Sequence, residues 1–239
     1  MPAAWFACWD ALLDLVLPRV CLGCAAPGPA LCPACRPGTV LRPAQAGVPT
    51  VAAGSYEDAL RRAVLAYKER GRRDLCGVLA DLLADCLTEL GPPPEAMLVP
   101  VPSSPRAARE RGGDHVLRLS RKLAVRTGLP VADGVLRLGR AVRDSAGLST
   151  SERAVNLAGA MLARPPVGRA APPFEGHRAG HPGRSIPAVL VDDVVTTGAT
   201  LGEAARALRA AGWAVQGAVV VAATELRRAR SGQPARSGP

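Results

Sequence analysis

The sequence predicts an α/β fold, a mostly parallel, doubly wound sheet with helices on both faces, preceded by a small cysteine-bearing module. Three observations predict it. Short apolar runs alternate along the chain with stretches of helical periodicity. One of those runs, residues 188–191 (AVLV), has no polar interruption, as a strand covered on both faces requires. Four cysteines gather between residues 21 and 35, in a Pro- and Gly-rich segment with no period of its own. At 239 residues and 48% hydrophobic content, the chain holds enough material for one such domain and an accessory module.

The elements follow in order. Trp5, Trp9, Leu12, Leu13 and Val16 recur at spacings of three and four, with Asp10 and Asp14 on another face, so an amphipathic helix ending before Pro18 is expected to dock against the body. The same stretch lacks a basic n-region and a small-residue cleavage site, and is not read as a signal peptide. No apolar run reaches the roughly 20 residues needed to cross a bilayer, and a cytoplasmic protein is expected. Residues 1–48 form the first unit and residues 49–225 the main domain.

Within the main domain, Ala59, Leu60, Ala63, Val64 and Tyr67 predict a helix over residues 56–68, and a second is predicted over 74–90, stopped by Gly91 and Pro92. A strand follows at 97–101, then a helix at 113–128. Residues 138–149 read as a long mobile loop, and Ser149, Thr150 or Ser151 opens a short helix to about Ala158, with Glu152 in capping-box spacing from Ser149. Residues 165–187 are too rich in Pro, Gly and Arg to pack and read as a disordered insertion. The strand at 188–191, a helix at 199–211 closed by Gly212, and a strand at 214–222 complete the domain. Residues 226–239 form a basic tail without core residues.

The net charge of +10 raises the question of a polyanionic partner. Lys68 and Lys122 are the only lysines and the remaining cations are arginines in an Ala-, Gly- and Pro-dense chain, so part of the charge reads as coding bias. Aromatic content of 3% leaves few platforms for stacking single-stranded bases.

The most informative stretch is residues 189–200, VLVDDVVTTGAT. An apolar strand is followed by two carboxylates where such a strand is expected to end, and ligands of open α/β sheets bind at those ends. The turn beyond, Val195, Thr196, Thr197, Gly198, Ala199 and Thr200, combines backbone freedom at glycine with hydroxyls and the free N–H groups of a helix start, a set suited to a phosphate dianion. Carboxylates beside a phosphate site look contradictory until a ribose is placed between them: adjacent hydroxyls donate to Asp192 and Asp193 while the 5-phosphate sits one turn away. VLVDD also fits a nucleotide-hydrolase strand, but no GxxxxGK[ST] loop accompanies it, and no GxGxxG supports a dinucleotide site.

This run resembles the signature of the type I phosphoribosyltransferases. Over residues 21–222 the chain is similar to ComF-type proteins, a branch of that superfamily associated in some bacteria with competence and DNA uptake. The resemblance is carried by the cysteine cluster, YEDALRRAVLAYKERG at 56–71, VPVPSS at 99–104 and RDSAGLSTSERAVNLAGA at 143–160. It implies a Rossmann-like phosphoribosyltransferase domain that binds phosphoribosyl pyrophosphate or a related ribose 5-phosphate. The implied reaction is displacement of pyrophosphate at the anomeric carbon by a nitrogen acceptor, with Asp192 and Asp193 as the candidate catalytic residues. Mg²⁺ would travel with the diphosphate and ribose oxygens, near Asp192 or Asp193 or through water. Val101, Pro102 and Ser103 correspond to the loop that receives pyrophosphate. Arg106, Arg109 and Arg111 follow, suited to neutralising a diphosphate or, equally, to forming a solvated helix face. Lys68 matches a family lysine that reaches phosphate, and also suits a plain surface position. Arg143, with Arg137 and Arg140, falls in the loop expected to close over substrate. The resemblance also implies, as an alternative, a non-catalytic adaptor contacting DNA or a DNA-uptake helicase. The chain departs from the family's RGFNQ, reading Arg111, Gly112, Gly113, Asp114 and His115; His115 suits a base, and the preferred reading places it at the surface of a helix start.

Cys21, Cys24, Cys32 and Cys35 form two CxxC knuckles, a spacing that brings four thiolates to one tetrahedral Zn²⁺. Four sulfur ligands leave no open position, so a structural zinc is expected. Cys8, Cys76 and Cys86 fall on helical patterns and read as buried small hydrophobes.

Overall fold

The computed structural model describes residues 20–38, 40–43, 47–139, 159–166 and 185–224. Six strands are placed: β1 (Thr50–Ala52), β2 (Met97–Pro100), β3 (Leu136–Leu138), β4 (Met161–Ala163), β5 (Pro187–Val195) and β6 (Ala214–Ala223). The helices are α1 (Asp58–Glu69), α2 (Leu75–Leu90), α3 (Pro105–Glu110), α4 (His115–Thr127) and α5 (Ala199–Ala210). The central sheet runs β1-β6-β5-β2 with every neighbouring pair parallel, and β3 and β4 form a separate antiparallel pair.

Alternation along the strands sends successive side chains to opposite faces, and both faces are covered. Val189 and Val191 of β5 with Val219 and Val221 of β6 join Leu60 and Val64 of α1, Leu79 and Leu83 of α2, and Leu119 and Leu123 of α4. Ala188, Leu190, Ala218 and Val220 join Leu201, Ala204 and Leu208 of α5, together with Leu136, Met161 and Trp213. This two-sided burial is the physical reason for the unbroken apolar run at 188–191; each fully buried leucine or valine contributes on the order of 1.5–3 kcal/mol.

The cysteine module packs against the first of these faces. Leu31 is fully buried in the core cluster that also holds α1 and α2. Arg62 of α1 donates to the carbonyls of Leu22 (2.5 Å) and Gly23 (3.1 Å), tying the module to the helix.

The connections define where a ligand can sit. The chain leaving β2 enters α3 and α4, and α4 lies on the first face; the chain leaving β5 enters α5 on the second. Because β2 and β5 are neighbours in the sheet and the chains leaving their carboxyl ends go to opposite faces, they form a topological switch point, where ligand crevices of open α/β sheets lie.

Several expectations are corrected. The strand read over 188–191 begins at Pro187 and continues to Val195, because parallel pairing with β6 persists through Asp192↔Val220 to Val195↔Ala223; the two carboxylates therefore lie within the strand. The helix expected over 113–128 starts at His115, since Gly112 and Gly113 take φ of 67° and 127° and Asp114 caps the first turn. Leu138 ends β3 and Arg137 lies within it, so neither belongs to a loop. Pro165, Pro166 and residues 185–187 are placed: Ala214 N–H donates to the Ile186 carbonyl at 3.0 Å. β1, β3 and β4 are not among the elements the sequence predicts, while α3 gives Arg106 and Arg109 a helical setting, one of the two readings for them. The helix over 5–16, the capped helix near 149–158, Arg140 and Arg143, and the tail lie outside the described residues.

Candidate functional site

The carboxyl end of β5 carries a dense polar cluster in an apolar setting. Asp192 and Asp193 are 9% and 5% exposed. One oxygen of Asp193, Oδ2, accepts from Lys68 Nζ on α1 at 2.8 Å and lies 2.7 Å from His115 Nε2 at the start of α4; the other accepts the Val194 N–H at 2.7 Å. Asp192 accepts the N–H of Asp193 at 2.8 Å.

These surroundings push the two carboxyls apart. Burial works against ionisation of Asp193, but the His115 hydrogen bond and the Lys68 charge outweigh it and hold the group below the usual carboxylate range. Burial, then the neighbouring Asp193 charge, raises Asp192 well above that range. Burial likewise opposes the charge of Lys68, and Asp193 restores it, so the Lys68 pKa lies above its ordinary value. The ionised form is therefore favoured at Asp193, where it is paired, and disfavoured at its neighbour Asp192.

His115 corrects the sequence reading of a surface histidine. It is 3% exposed, because Tyr67 of α1 covers it: the Tyr67 hydroxyl donates to the His115 carbonyl at 2.9 Å and the rings meet edge to face at 6.2 Å. Its second ring nitrogen, Nδ1, lies 3.4 Å from the Ser103 hydroxyl in the loop after β2. Asp114 organises the same corner, with Oδ1 capping α4 through the N–H groups of Val116 and Leu117 and Oδ2 accepting the Ser103 N–H at 3.1 Å. The signal available in sequence was the aromatic Tyr67 beside Lys68 on the buried stripe of α1.

Around this centre the other candidates divide. Val101 is buried, its N–H donating to the Val191 carbonyl, which places Pro102 and Ser103, both half-buried, beside β5. Arg111 faces Glu69 at 3.0 Å, and Arg109 is exposed in the last turn of α3. Arg106 lies in α3. Thr196 is exposed and Thr197 half-buried, the latter's hydroxyl accepting the Ala199 N–H at 3.4 Å. Gly198 is the N-cap of α5 at φ 77°, a left-handed conformation a side chain resists, which turns the chain from strand into helix beside Ala199 and Thr200. Sequence reasoning missed Glu203 of α5, buried, which accepts the Met161 N–H at 3.0 Å and pairs with Arg206, fixing β4 to this helix.

The four cysteines converge: the Sγ atoms of Cys21, Cys24, Cys32 and Cys35 all lie within 4.8 Å of one another, a set that can hold a metal ion such as zinc. Gly23 N–H and Cys32 N–H point at Cys21 Sγ at 3.3 and 3.4 Å. Burial opposes ionisation of Cys21, but backbone donors led by Cys32 bring its thiol down to about 6. Cys35, beside the Cys32 sulfur, is pushed up to about 12. Four clustered thiolates repel one another, and a bound dication is what lets all of them ionise together. A β-carbon at Gly23 would lie 2.5 Å from Cys35 Sγ, so the knuckle requires glycine there. Cys76 and Cys86 are buried, as expected. Among the described residues no other cluster of this kind occurs. No helix of the described residues is long and apolar enough to cross a membrane.

No protein-family model matches the chain, and no curated protein matches it either.

Proposed function

We propose that this protein binds phosphoribosyl pyrophosphate at the carboxyl edge of β2 and β5 and transfers its phosphoribosyl group to a nitrogen acceptor, as a ComF-like member of the type I phosphoribosyltransferases. One observation supports the reading above others. The segments read from sequence as the diphosphate loop (101–103) and the ribose-phosphate loop (192–200) leave the same ends of adjacent parallel strands, and the chain then departs to opposite faces. A ligand with a phosphate at one end and a diphosphate at the other suits two loops so related. The N-terminus of α5 and the hydroxyls of Thr196, Thr197 and Thr200 would hold the 5-phosphate, Asp192 would meet the ribose hydroxyls, and Asp193 would orient Lys68 between the two ends. Displacement at the anomeric carbon builds positive charge on the ring, so the chemistry asks the protein for positioning and nearby negative charge rather than for a nucleophile. Magnesium would arrive with the diphosphate, and zinc in the cysteine module would be structural.

The test is release of pyrophosphate from phosphoribosyl pyrophosphate across a panel of nitrogen acceptors. Turnover that disappears in Asp192→Asn/Asp193→Asn supports transfer; ligand binding without release for any acceptor removes the catalytic half of the proposal. A second reading, a binding or adaptor module working with DNA or a helicase-like partner, is favoured by the net charge of +10. It predicts DNA affinity that falls steeply with salt; a flat salt response would remove it.

A further inference from the structure

The hydrogen-bond chain Asp193–His115–Ser103 joins the buried carboxylate of β5 to a half-buried hydroxyl in the loop after β2. Its direction follows from what each group can give. An ionised carboxylate only accepts, so His115 Nε2 carries a hydrogen toward Asp193. In a neutral imidazole Nδ1 is then an acceptor, and the Ser103 hydroxyl must donate inward, showing only lone pairs to the crevice. In an imidazolium Nδ1 also carries a hydrogen; Ser103 accepts from it, and its own O–H turns outward as a donor. One proton on His115 thus converts Ser103 from a group that repels an anion into one that binds it.

The groups facing His115 are Lys68 and Tyr67 from α1, Cys76 from α2 and Arg118 from α4 beside Tyr67, Asp193 and Asp192 from β5, and Asp114 beside Ser103. The Asp193 and Asp114 carboxylates face the Lys68 and Arg118 cations, and Arg111 is matched by Glu69. An anion arriving at Ser103 adds the negative charge that an imidazolium balances.

We propose that the site after β2 binds a phosphate or diphosphate group together with one proton, which His115 takes up and keeps, so that the Ser103 hydroxyl turns outward to donate to the anion. The inference rests on reading this crevice as a phosphoanion site, and makes His115 a positioning residue for it.

The experiment is calorimetric titration of the full-length chain with inorganic pyrophosphate at several pH values, each in buffers of differing ionisation enthalpy, so that protons exchanged per anion bound are counted. The wild-type protein is compared with His115→Gln, so that pyrophosphate's own protonation cancels in the difference. The expected difference approaches one proton taken up at pH 8, with wild-type affinity losing up to about tenfold more per pH unit than the variant as pH rises. Ser103→Ala, which leaves the His115–Asp193 pair in place, is expected to weaken pyrophosphate binding about tenfold at pH 6 and to at least halve the excess pH slope. Equal proton counts in wild type and His115→Gln, or an unchanged slope in Ser103→Ala, overturn the coupling while leaving the phosphoribosyl reading standing. Failure of the wild-type protein to bind either pyrophosphate or phosphoribosyl pyrophosphate overturns both.

Discussion

The cysteine module and the carboxyl edge of β5 are both clusters of polar groups set into apolar packing, yet they are built on opposite electrostatic plans. The four sulfurs are alike, lie within 4.8 Å of one another, and have no internal counter-charge. The cluster around Asp193 mixes signs, and its lysine, imidazole and carboxylate satisfy one another at 2.7–2.8 Å. A set of like groups declares what it lacks, a cation. A self-satisfied set declares nothing by composition, and its ligand has to be read from the fold around it, here from two loops at one sheet edge. The contrast also orders the energetic consequences of breaking each.

The largest effect is expected at the cysteines. Because Leu31 shares one core with α1 and α2, losing the metal should unseat part of the main domain. Cys21→Ser with Cys32→Ser should reduce bound zinc from one ion per chain to none, and lower unfolding stability by several kcal/mol, on the order of what a structural site contributes. Metal analysis and denaturant titration check this; a metal-free protein of unchanged stability would show that the thiols hold themselves together.

Next come the neighbouring aspartates, which should respond with opposite signs. Asp193→Asn removes the partner of Lys68 and His115 and should cost about 3 kcal/mol, the low end for breaking a buried pair because Lys68 is 29% exposed. Its folded-state pKa lies below the unfolded value near 4, so its contribution is present above about pH 4 and fades as pH falls below that. Asp192→Asn should instead stabilise the protein. Burial raises the Asp192 pKa, so the folded state gives up its proton less readily than the unfolded chain, and stability is lost as pH rises from about 4 toward the folded-state value. The variant's advantage should therefore be greater at pH 8 than at pH 4. Unfolding curves of both variants at the two pH values check the pair, and effects of the same sign would mean that the carboxyls share one environment.

The smallest stability effect is expected on the loop itself. Thr196 is exposed, so Thr196→Ala should alter stability by no more than about 0.5 kcal/mol while weakening binding of ribose 5-phosphate about tenfold, the loss of one hydrogen bond to a dianion. Equal affinity in variant and parent would move the phosphate off this turn.

How much of this was legible in the sequence follows the same division. Long-period features were readable: α1, α2, the buried strand and α5 announce themselves by spacing, and the CxxC pairs by repetition. What escaped depends on partners distant in the chain. Val194 and Val195 belong to β5 because β6 runs beside them, and the three residues of β1 are a strand through pairing with the same neighbour and, at Ala52, with Leu41. β3 and β4 are three residues each, too short to show alternation, and exist by pairing across a long separation. The reading of His115 followed a sound local signal, its place at the start of an expected helix, which says nothing about the Tyr67 ring that folds over it from another helix. Asp193 stands out in the sequence as a carboxylate following an apolar strand, but the lysine and imidazole that engage it come from residues 125 and 78 positions away.

The central claim is that the crevice between β2 and β5 recognises a ribose carrying a phosphate and a diphosphate. Calorimetric titration of the full-length protein with phosphoribosyl pyrophosphate and Mg²⁺, beside the Asp192→Asn/Asp193→Asn variant, tests it most directly. Saturable one-to-one binding that is at least tenfold weaker in the variant is the predicted result. No binding to the wild-type protein, or equal binding to both, would contradict it.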